Sequence, residues 1–252
     1  MAKGSEGTQN EGVGCIASIL FLIVSILAFI KGYTSVGWLI LIPILLLNLI
    51  SFLRYSKGLK RNKEGLMKQL DDLKPETSSF RATQEFTSSN FLTKIAVDEE
   101  KERICIWGPQ DRSTSKALAG MPYTAFEYDY SDILAVEMSE DGVSLGTKVS
   151  ETETARNLLD GFISPVDGTF IGGSRPADQP KKHVDSLDLT IVVNHQARPL
   201  HFINFYKYVA EGGQAKLKKD SAEYKKHMNA LRHWYMLMSF IIEKGEGNAP
   251  DG

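Results

Sequence analysis

Two long apolar stretches near the N-terminus constrain this chain more than any other feature. They cover residues 13–30 and 36–53, and neither contains an acidic or basic side chain. At about 1.5 Å rise per residue, a helix of this length extends roughly 27 Å, close to the thickness of the hydrocarbon core of a bilayer. Backbone polar groups in lipid must be satisfied within the segment, so each stretch is predicted to be a helix. Joined by residues 31–35, the two stretches predict a transmembrane hairpin.

Two other interpretations of the first stretch fit less well, namely a cleaved signal peptide and a buried helix of a soluble protein. The preceding residues 1–12 carry one Lys and two Glu, no small-x-small cleavage site follows, and a second apolar stretch comes at once. Helices inside soluble proteins seldom run this far without a charge. We therefore expect a retained anchor, preceded by a disordered segment at 1–12.

A basic cluster follows the second stretch, whereas Lys31 is the single charge in the intervening turn. By the positive-inside rule this asymmetry predicts a two-span membrane protein with both termini in the cytoplasm. Each cation near anionic headgroups contributes about 1 kcal/mol, so the cluster is also a candidate membrane-surface site. The cluster consists of Arg54, Lys57, Lys60, Arg61, Lys63 and Lys68. Within the second stretch, Asn48 either supports self-association through a hydrogen bond between helices or simply faces its hairpin partner.

The polar remainder divides into a connecting region, one domain and a tail. Residues 54–90 are predicted to be a basic juxtamembrane helix that ends at Lys74-Pro75, followed by a linker rich in Ser and Thr. Residues 91–242 are predicted to be a cytoplasmic domain, and residues 243–252 a disordered tail. The net charge of −2 gives no signal for nucleic acid. Cys15 and Cys105 are not expected to meet, so no disulfide framework is predicted.

From residue 91 the apolar pattern changes to a period of two, which indicates β-strands. Strands are predicted at 91–98, 102–107, 125–130, 133–138, 143–145, 187–194 and 199–205, with a short helix at 154–159. A last helix begins with Asp220 and Glu223 as a capping box and is predicted to end at Gly245. One apolar stripe along it is the predicted packing face, formed by Tyr224, Met228, Leu231, Tyr235, Met238 and Ile242. The fold class is therefore α+β, with five to seven short antiparallel strands closed by one helix.

This arrangement resembles the bacterial pleckstrin-homology-like (PH-like) domains of small membrane-anchored proteins. The resemblance rests on the segment YSDILAVEMSEDG, an insertion ending in TFIGG, the hairpin LDLTIVVN/PLHFINF and the long last helix. Pro165 and Asp167 interrupt the insertion, where the resemblance implies a longer glycine-zipper run. The resemblance implies a small antiparallel β-barrel or sandwich, a bacterial inner membrane location and no assigned activity.

No pattern of catalytic or cofactor-binding residues stands out. GGSRPAD lacks the Lys-Ser/Thr pair of a phosphate-binding loop, and Ser131 lacks a nucleophile elbow. The five histidines are scattered, and Cys105 fits a small buried strand residue better than a nucleophile. Four carboxylates are expected on the solvated outer face of a sheet. They are Glu127, Asp129, Asp132 and Glu137. We predict no enzyme, no cofactor and no metal.

The function predicted from the sequence is a membrane-tethered cytoplasmic adaptor that docks another protein. The expected docking surface is either an edge strand at 91–98 or the groove beside the last helix. Two alternatives remain open. One is an anionic-lipid sensor that uses the basic cluster together with Lys181, Lys182 and residues 216–219. The other is a membrane-perturbing effector or defence component whose hairpin forms homo-oligomers through Asn48.

Overall fold

The chain divides into two units, residues 1–64 and residues 65–252, and each is described by itself. The computed structural model describes residues 26, 30–75, 79–111, 117, 120–159, 182–208 and 216–247.

One long helix, α1, runs from Thr34 to Asp72. It follows a turn at Lys31 and Gly32, where Gly32 has a φ of 81° that residues with side chains rarely adopt. Residues 36–53 and the predicted juxtamembrane helix therefore lie on one continuous helix. Among the residues that the structure describes, no helix combines the length and the hydropathy that a membrane span requires. The predicted transmembrane hairpin is thus unsupported by this structure, and most of residues 13–30 lie outside its described part.

The first sheet of the domain contains four antiparallel strands in the order β1-β2-β3-β4. These strands are β1 (Gln84–Thr87), β2 (Lys94–Asp98), β3 (Arg103–Pro109) and β4 (Tyr123–Asp129). The alternation of apolar residues that predicted β2 to β4 reflects one face of this sheet in the core, where Ile95, Val97 and Ile104 are buried. β1 lies inside the segment that the sequence analysis treated as a linker.

The second sheet has the order β6-β5-β8-β9, again antiparallel. Its strands are β5 (Ile133–Glu140), β6 (Val143–Val149), β8 (Ser186–Val193) and β9 (Leu200–Lys207). A 3-10 turn at Tyr130–Asp132 connects β4 to β5, and α2 (Glu153–Leu159) follows β6. Two short strands, β7 (His183–Val184) and β10 (Leu217–Lys218), pair with each other. The domain is thus mixed α+β with antiparallel sheets, consistent with a PH-like fold.

The last helix, α3 (Ala222–Gly247), packs against β5, β8, β9 and the 3-10 turn. Along the predicted stripe, Met228, Leu231, Met238 and Ile242 are buried, and Tyr224 and Tyr235 are half-buried. Trp234 and Ile241 are buried as well.

Gly245 does not end α3 as the sequence analysis expected. It is buried within the helix, and a Cβ atom there would lie 2.6 Å from the carbonyl oxygen of Tyr130. The glycine therefore permits close contact between α3 and the 3-10 turn.

The end of α1 packs on the outer face of the first sheet. Leu66 and Leu70 are buried, and Leu73, just after α1, packs against a small apolar cluster that includes Cys105 and Trp107. Gln69 donates a hydrogen bond to the carbonyl of Met121 at 2.5 Å and accepts one from the N–H of Gly120 at 2.9 Å. This part of α1 belongs to the same unit as the sheets.

Lys94 on β2 ties the end of α1 to the sheet. Its side chain is 6% exposed, and its Nζ atom lies 3.0 Å from Glu85 and 3.7 Å from Asp71. It also approaches the carbonyl of Leu70 at 3.5 Å and lies over the ring of Trp107. A cation near the last carbonyls of a helix is favourable because these groups carry partial negative charge.

The expected edge strand at 91–98 is a wrong prediction. β2 occupies residues 94–98 of this segment, and it has β1 on one side and β3 on the other. Its backbone groups are therefore used within the sheet on both sides. Glu137 was also expected to be solvated, but it lies on β5, an inner strand of the second sheet, and is buried at 7% exposure.

Candidate functional site

The residues selected from the sequence do not gather into one site. Arg54, Lys57, Lys60 and Arg61 are exposed along α1 in the first unit, and Lys68 is exposed on the last part of α1 in the second. Asn48 is also exposed on α1. The side chain of Lys63 lies outside the described residues. The concave surfaces of the structure lie instead on the β-domain.

A groove of about 380 Å³ runs along β4. All six residues from Thr124 to Asp129 line it, and its remaining walls come from Arg103, Asp132 and His195. We call this the β4 groove. Successive residues of a strand point to opposite faces of a sheet, so a groove lined by both sets lies along the strand's edge.

The backbone of β4 is oriented so that alternate residues face this groove. Tyr130 donates its N–H to the carbonyl of Glu102, and Gln110 donates its N–H to the carbonyl of Pro122. Even-numbered residues therefore direct their N–H and C=O groups towards β3, in the register that pairs Tyr128 with Ile104. The odd-numbered residues, including Tyr123 and Ala125, direct theirs away from β3. Among the described strands, β4 has a neighbour on one side only.

The walls of the β4 groove carry three carboxylates and one guanidinium. Arg103 binds Asp129 through Nε at 2.9 Å and lies 3.9 Å from Glu127. Asp132 accepts a hydrogen bond from the N–H of Asp129 at 3.1 Å. Burial raises the pKa of Asp132; the hydrogen bond from the N–H of Asp129 opposes this effect, the charge of Asp129 adds to it, and His195 opposes it. Three carboxylates outnumber the one guanidinium, so the lining is acidic overall.

A cluster of rings forms the inner boundary of the β4 groove. The hydroxyl group of Tyr128 and Nε2 of His201 share a hydrogen bond of 2.8 Å. The ring of His195 lies edge-on to both Phe126 and Tyr128, at 6.1 and 6.2 Å between centroids. Arg198 lies over Phe126 at 4.4 Å, a favourable position for a cation on an aromatic face. These contacts fix the turn between β8 and β9 beside β4.

A second and more apolar cavity of about 500 Å³ lies on the other side of this turn. Its apolar lining residues include Leu92, Pro109, Pro199, Leu200 and Phe202, and Phe202 is 54% exposed. The adjacent backbone of β9 is already in use. The carbonyl of Asn204 accepts from the N–H of Ser89, and that of Phe202 accepts from the hydroxyl of Thr93. The segment 88–93 thus covers this edge of the second sheet.

The ribbon of β7 and β10 brings lysines together from distant parts of the sequence. Lys218 pairs with His183, and Lys219 donates its N–H to the carbonyl of Lys182. Lys182, Lys216 and Lys218 are exposed. Lys216 binds Asp185 at 2.8 Å, and Lys219 binds Glu140 at 2.6 Å. The ribbon therefore forms a surface rich in cations at the start of α3. Lys181 lies outside the described residues.

The described residues contain no group of His, Cys, Asp or Glu suited to hold a metal ion. Cys105 is fully buried in β3, where a nucleophile has no access to substrate. His201 shares a hydrogen bond with the hydroxyl of Tyr128, and His195 contacts the rings of Phe126 and Tyr128, so neither is paired with a nucleophile in the part of the chain that the structure describes. The chemistry that this surface offers is recognition through strand edges, rings and charges.

Sequence reasoning identified the carboxylates of the β4 groove but not the groove itself. Glu127 and Asp129 were assigned to a solvated face, and their side chains are 13% and 60% exposed. His195 and His201 were noted only as flanking a turn. The alternation in AFEYDY marks β4 as a strand, but whether a strand lies at an edge depends on its neighbours.

Comparison with known proteins gives two matches. Residues 84–207 match the family model of the glycine zipper containing PH domain. A curated relative is the SPbeta prophage-derived uncharacterized membrane protein YomJ of Bacillus subtilis (strain 168). It is 26% identical over 227 residues, which cover 89% of this chain and 92% of that protein. No solved structure matches the chain. The resemblance noted in the sequence is confirmed.

Proposed function

Because residues 84–207 match the family model of the glycine zipper containing PH domain, we propose that this protein is a non-catalytic module that works at a membrane and docks another protein there. Folds of this kind do not by themselves define an activity, so the proposal must rest on the surfaces that this chain presents. The similarity to a bacterial membrane protein supports the location. The bacterial inner membrane and the cytoplasmic position of the domain are part of the proposal.

The observation that carries the proposal is the composition of α1. Its first part exposes large apolar side chains, including Ile42, Leu45, Leu49 and Phe52, at 44–66% exposure for the set between residues 42 and 53. Exposed apolar surface of this extent marks an interaction site for a membrane or a protein. Its last part is buried against the β-domain through Leu66 and Leu70. The same helix thus carries an exposed apolar segment and, at its end, a segment that packs against the β-domain.

For the membrane topology, the proposal is that residues 13–30 and 36–53 each span the bilayer, with the basic cluster on the cytoplasmic side. Cysteine labelling in intact cells tests it. In a Cys15→Ser, Cys105→Ala background, Gly4→Cys, Thr34→Cys and Asp220→Cys are treated with a membrane-impermeant maleimide. Labelling of Thr34→Cys alone before permeabilisation is expected. Labelling of all three positions, or of none, in intact cells would remove the two-span topology.

For the β-domain, the proposal is that it binds a second protein. Crosslinking of the full-length protein in its native membrane, with a 1–74 fragment as control, tests this role. A partner recovered with the full length and absent from the control is the expected result. If only the protein's own oligomers were recovered with both chains, the docking role would be lost, and the hairpin would become the working part.

A second candidate function, recognition of anionic lipid, is favoured by the pairing of β7 with β10. This pairing places Lys182 beside Lys218 and Lys219, although Lys182 lies far from these two residues in the sequence. Cations near an anionic surface contribute about 1 kcal/mol each. Reconstitution of the Lys182→Glu, Lys218→Glu variant in neutral and in anionic vesicles tests this function, with crosslinking of the domain to lipid as readout. Equal crosslinking of the variant and the parent protein would rule it out.

A further inference from the structure

We infer that the β4 groove binds an extended, basic segment of the partner protein, which adds to the first sheet as a fifth strand beside β4. This inference rests on the proposed docking function and specifies where the partner binds and what chemistry it has. It replaces the docking edge expected at residues 91–98, because β1 already pairs with β2 along that edge.

The backbone groups at the outer edge of β4 point in the direction that strand addition requires. Tyr123 and Ala125 direct their N–H and C=O groups away from β3, and Ala125 lines the β4 groove. A strand placed there in an extended conformation makes main-chain hydrogen bonds with these groups, as in other complexes formed by strand addition. The N–H of Asp129 is already bound to Asp132, so the added strand ends before Asp129. At about 3.4 Å per residue, the edge from Tyr123 to Tyr128 accommodates a segment of roughly six residues.

The other sheet edges in the part of the chain that the structure describes are covered or protected. The edge of β9 is covered by the segment 88–93, through the hydrogen bonds of Ser89 and Thr93. β1 is only four residues long, and it lies beside α3, where Gln84 shares a hydrogen bond of 2.7 Å with His233. β6 contains Lys148, a residue type that typically protects an edge. β4 carries Glu127 and Asp129 rather than a lysine, and an open groove runs along six of its seven residues.

The charges of the β4 groove favour a basic partner segment. Three carboxylates and one guanidinium line the β4 groove, and Arg103 is held by Asp129 and Glu127. A partner segment with Lys or Arg at alternate positions therefore complements the lining, whereas an acidic segment is repelled. Strand addition supplies affinity through the backbone, and these charges supply selectivity.

The test uses full-length protein in detergent micelles and three synthetic hexapeptides with a fluorescent label. The first peptide alternates Lys and Val. The second alternates Glu and Val, and the third repeats the first with N-methyl groups on alternate residues, which removes strand hydrogen bonds and keeps the charge. Fluorescence anisotropy is expected to show binding of the basic peptide, and binding of the other two weaker by at least about tenfold.

Two variants complete the test. Ala125→Pro removes an outward N–H at an edge position, where proline is tolerated, and should weaken binding of the basic peptide about tenfold or more. Asp132→Asn lowers the acidity of the lining and should weaken binding less. Thermal unfolding of each variant shows whether it is folded, and the N-methylated peptide tests the parent protein independently of any variant.

The remaining outcomes overturn the inference. Equal binding of the basic and N-methylated peptides would mean attraction by charge alone. Absence of binding of the basic peptide would mean that the edge is closed. Self-association that Ala125→Pro abolishes would mean that a second copy occupies β4. In each case, a partner that crosslinks to another surface of the domain would still support the docking function. Failure of the β4 inference is therefore distinguishable from failure of the proposed function.

Discussion

Gly245 shows how a single residue decides the contact between α3 and the β-domain. Its Cα atom lies so close to the 3-10 turn that a Cβ atom would be 2.6 Å from the carbonyl oxygen of Tyr130 and 3.0 Å from the N–H of Ser131. Both are backbone atoms, which cannot move aside as a flexible side chain can. The residue that looked like a helix terminator is therefore a packing position.

Gly245→Ala is expected to destabilise the protein by about 1–3 kcal/mol, the usual cost of forcing a group into a packed site. Thermal unfolding followed by circular dichroism measures the effect. Gly247→Ala is the matched control, since no atom lies within 4 Å of its Cβ position, and alanine favours a helix over glycine by about 1 kcal/mol. An unfolding temperature unchanged in Gly245→Ala would contradict the close contact.

Tyr130 makes stability depend on alkaline pH. Burial, together with the charges of Glu99 and Glu102, raises its pKa from 10.0 to about 12. A pKa raised in the folded state contributes stability that is complete below pH 10 and is lost as pH rises from about 10 to about 12. Tyr130→Phe keeps the ring, which lies 5.8 Å from Nζ of Lys244, and removes the ionising group.

Unfolding temperatures measured from pH 8 to 11.5 should therefore fall less steeply for Tyr130→Phe than for the parent protein. Some slope will remain because burial also raises the pKa of Tyr123 to about 12. Tyr33→Phe, at an exposed position, serves as control and should follow the parent curve. Identical slopes for Tyr130→Phe and the parent would show that the hydroxyl of Tyr130 is solvated.

At the scale of elements, the end of α1 acts as a cover for the outer face of the first sheet. Leu70 is fully buried, and Cys105 and Trp107 lie in the apolar cluster of this face. Lys94 interacts with the last turn of the helix through Asp71 and the carbonyl of Leu70. If this cover opens, the thiol group of Cys105 becomes more accessible.

Leu70→Ala in a Cys15→Ser background is thus expected to increase the rate at which a maleimide modifies Cys105. Truncation of a buried leucine usually costs about 2–5 kcal/mol, and here the loss weakens the packing of the end of α1. Mass spectrometry of the modified protein over time gives the rate. Met67→Ala, at a position 44% exposed, is the control and should leave the rate unchanged. Equal rates in both variants would show that Leu70 does not protect the thiol.

The strands differ in how well the sequence predicts them. β8 and β9 have eight residues each and a clear apolar pattern, so the sequence analysis placed them within one or two residues. β1 has four residues, and β7 and β10 have two each, which is too short for any periodicity. These strands form because a neighbouring strand offers hydrogen bonds. Their positions follow from pairing rather than from local sequence.

The same limit applies to the candidate site. The residues AFEYDY predict a strand with acidic and aromatic sides, and β4 has both. That β4 lies at an edge, beside His195 and Asp132, depends on the order of four strands and on the course of the β8–β9 turn. The sequence therefore provides the chemistry of the β4 groove, and the topology provides its shape.

At the scale of the whole molecule, the division after Glu64 predicts where a stable fragment begins. A domain boundary at residue 75 or later removes Leu66 and Leu70 and leaves the outer face of the first sheet uncovered. A boundary at Gly65 keeps both leucines, together with the contacts of Gln69 and Asp71. The end of α1 thus belongs to the β-domain in packing, although it continues the helix that carries the apolar segment.

Fragment 65–247 is expected to unfold at a higher temperature than fragment 75–247 and to stay monomeric, because the shorter fragment exposes the apolar surface around Trp107. Differential scanning calorimetry and sedimentation velocity measure the two properties. Fragment 65–247 with Leu66→Asp and Leu70→Asp is the matched control of equal length, and it should behave like the shorter fragment. Equal unfolding temperatures for fragments 65–247 and 75–247 would show that the end of α1 adds no stability to the β-domain. The helix and the β-domain would then be joined only by the covalent chain.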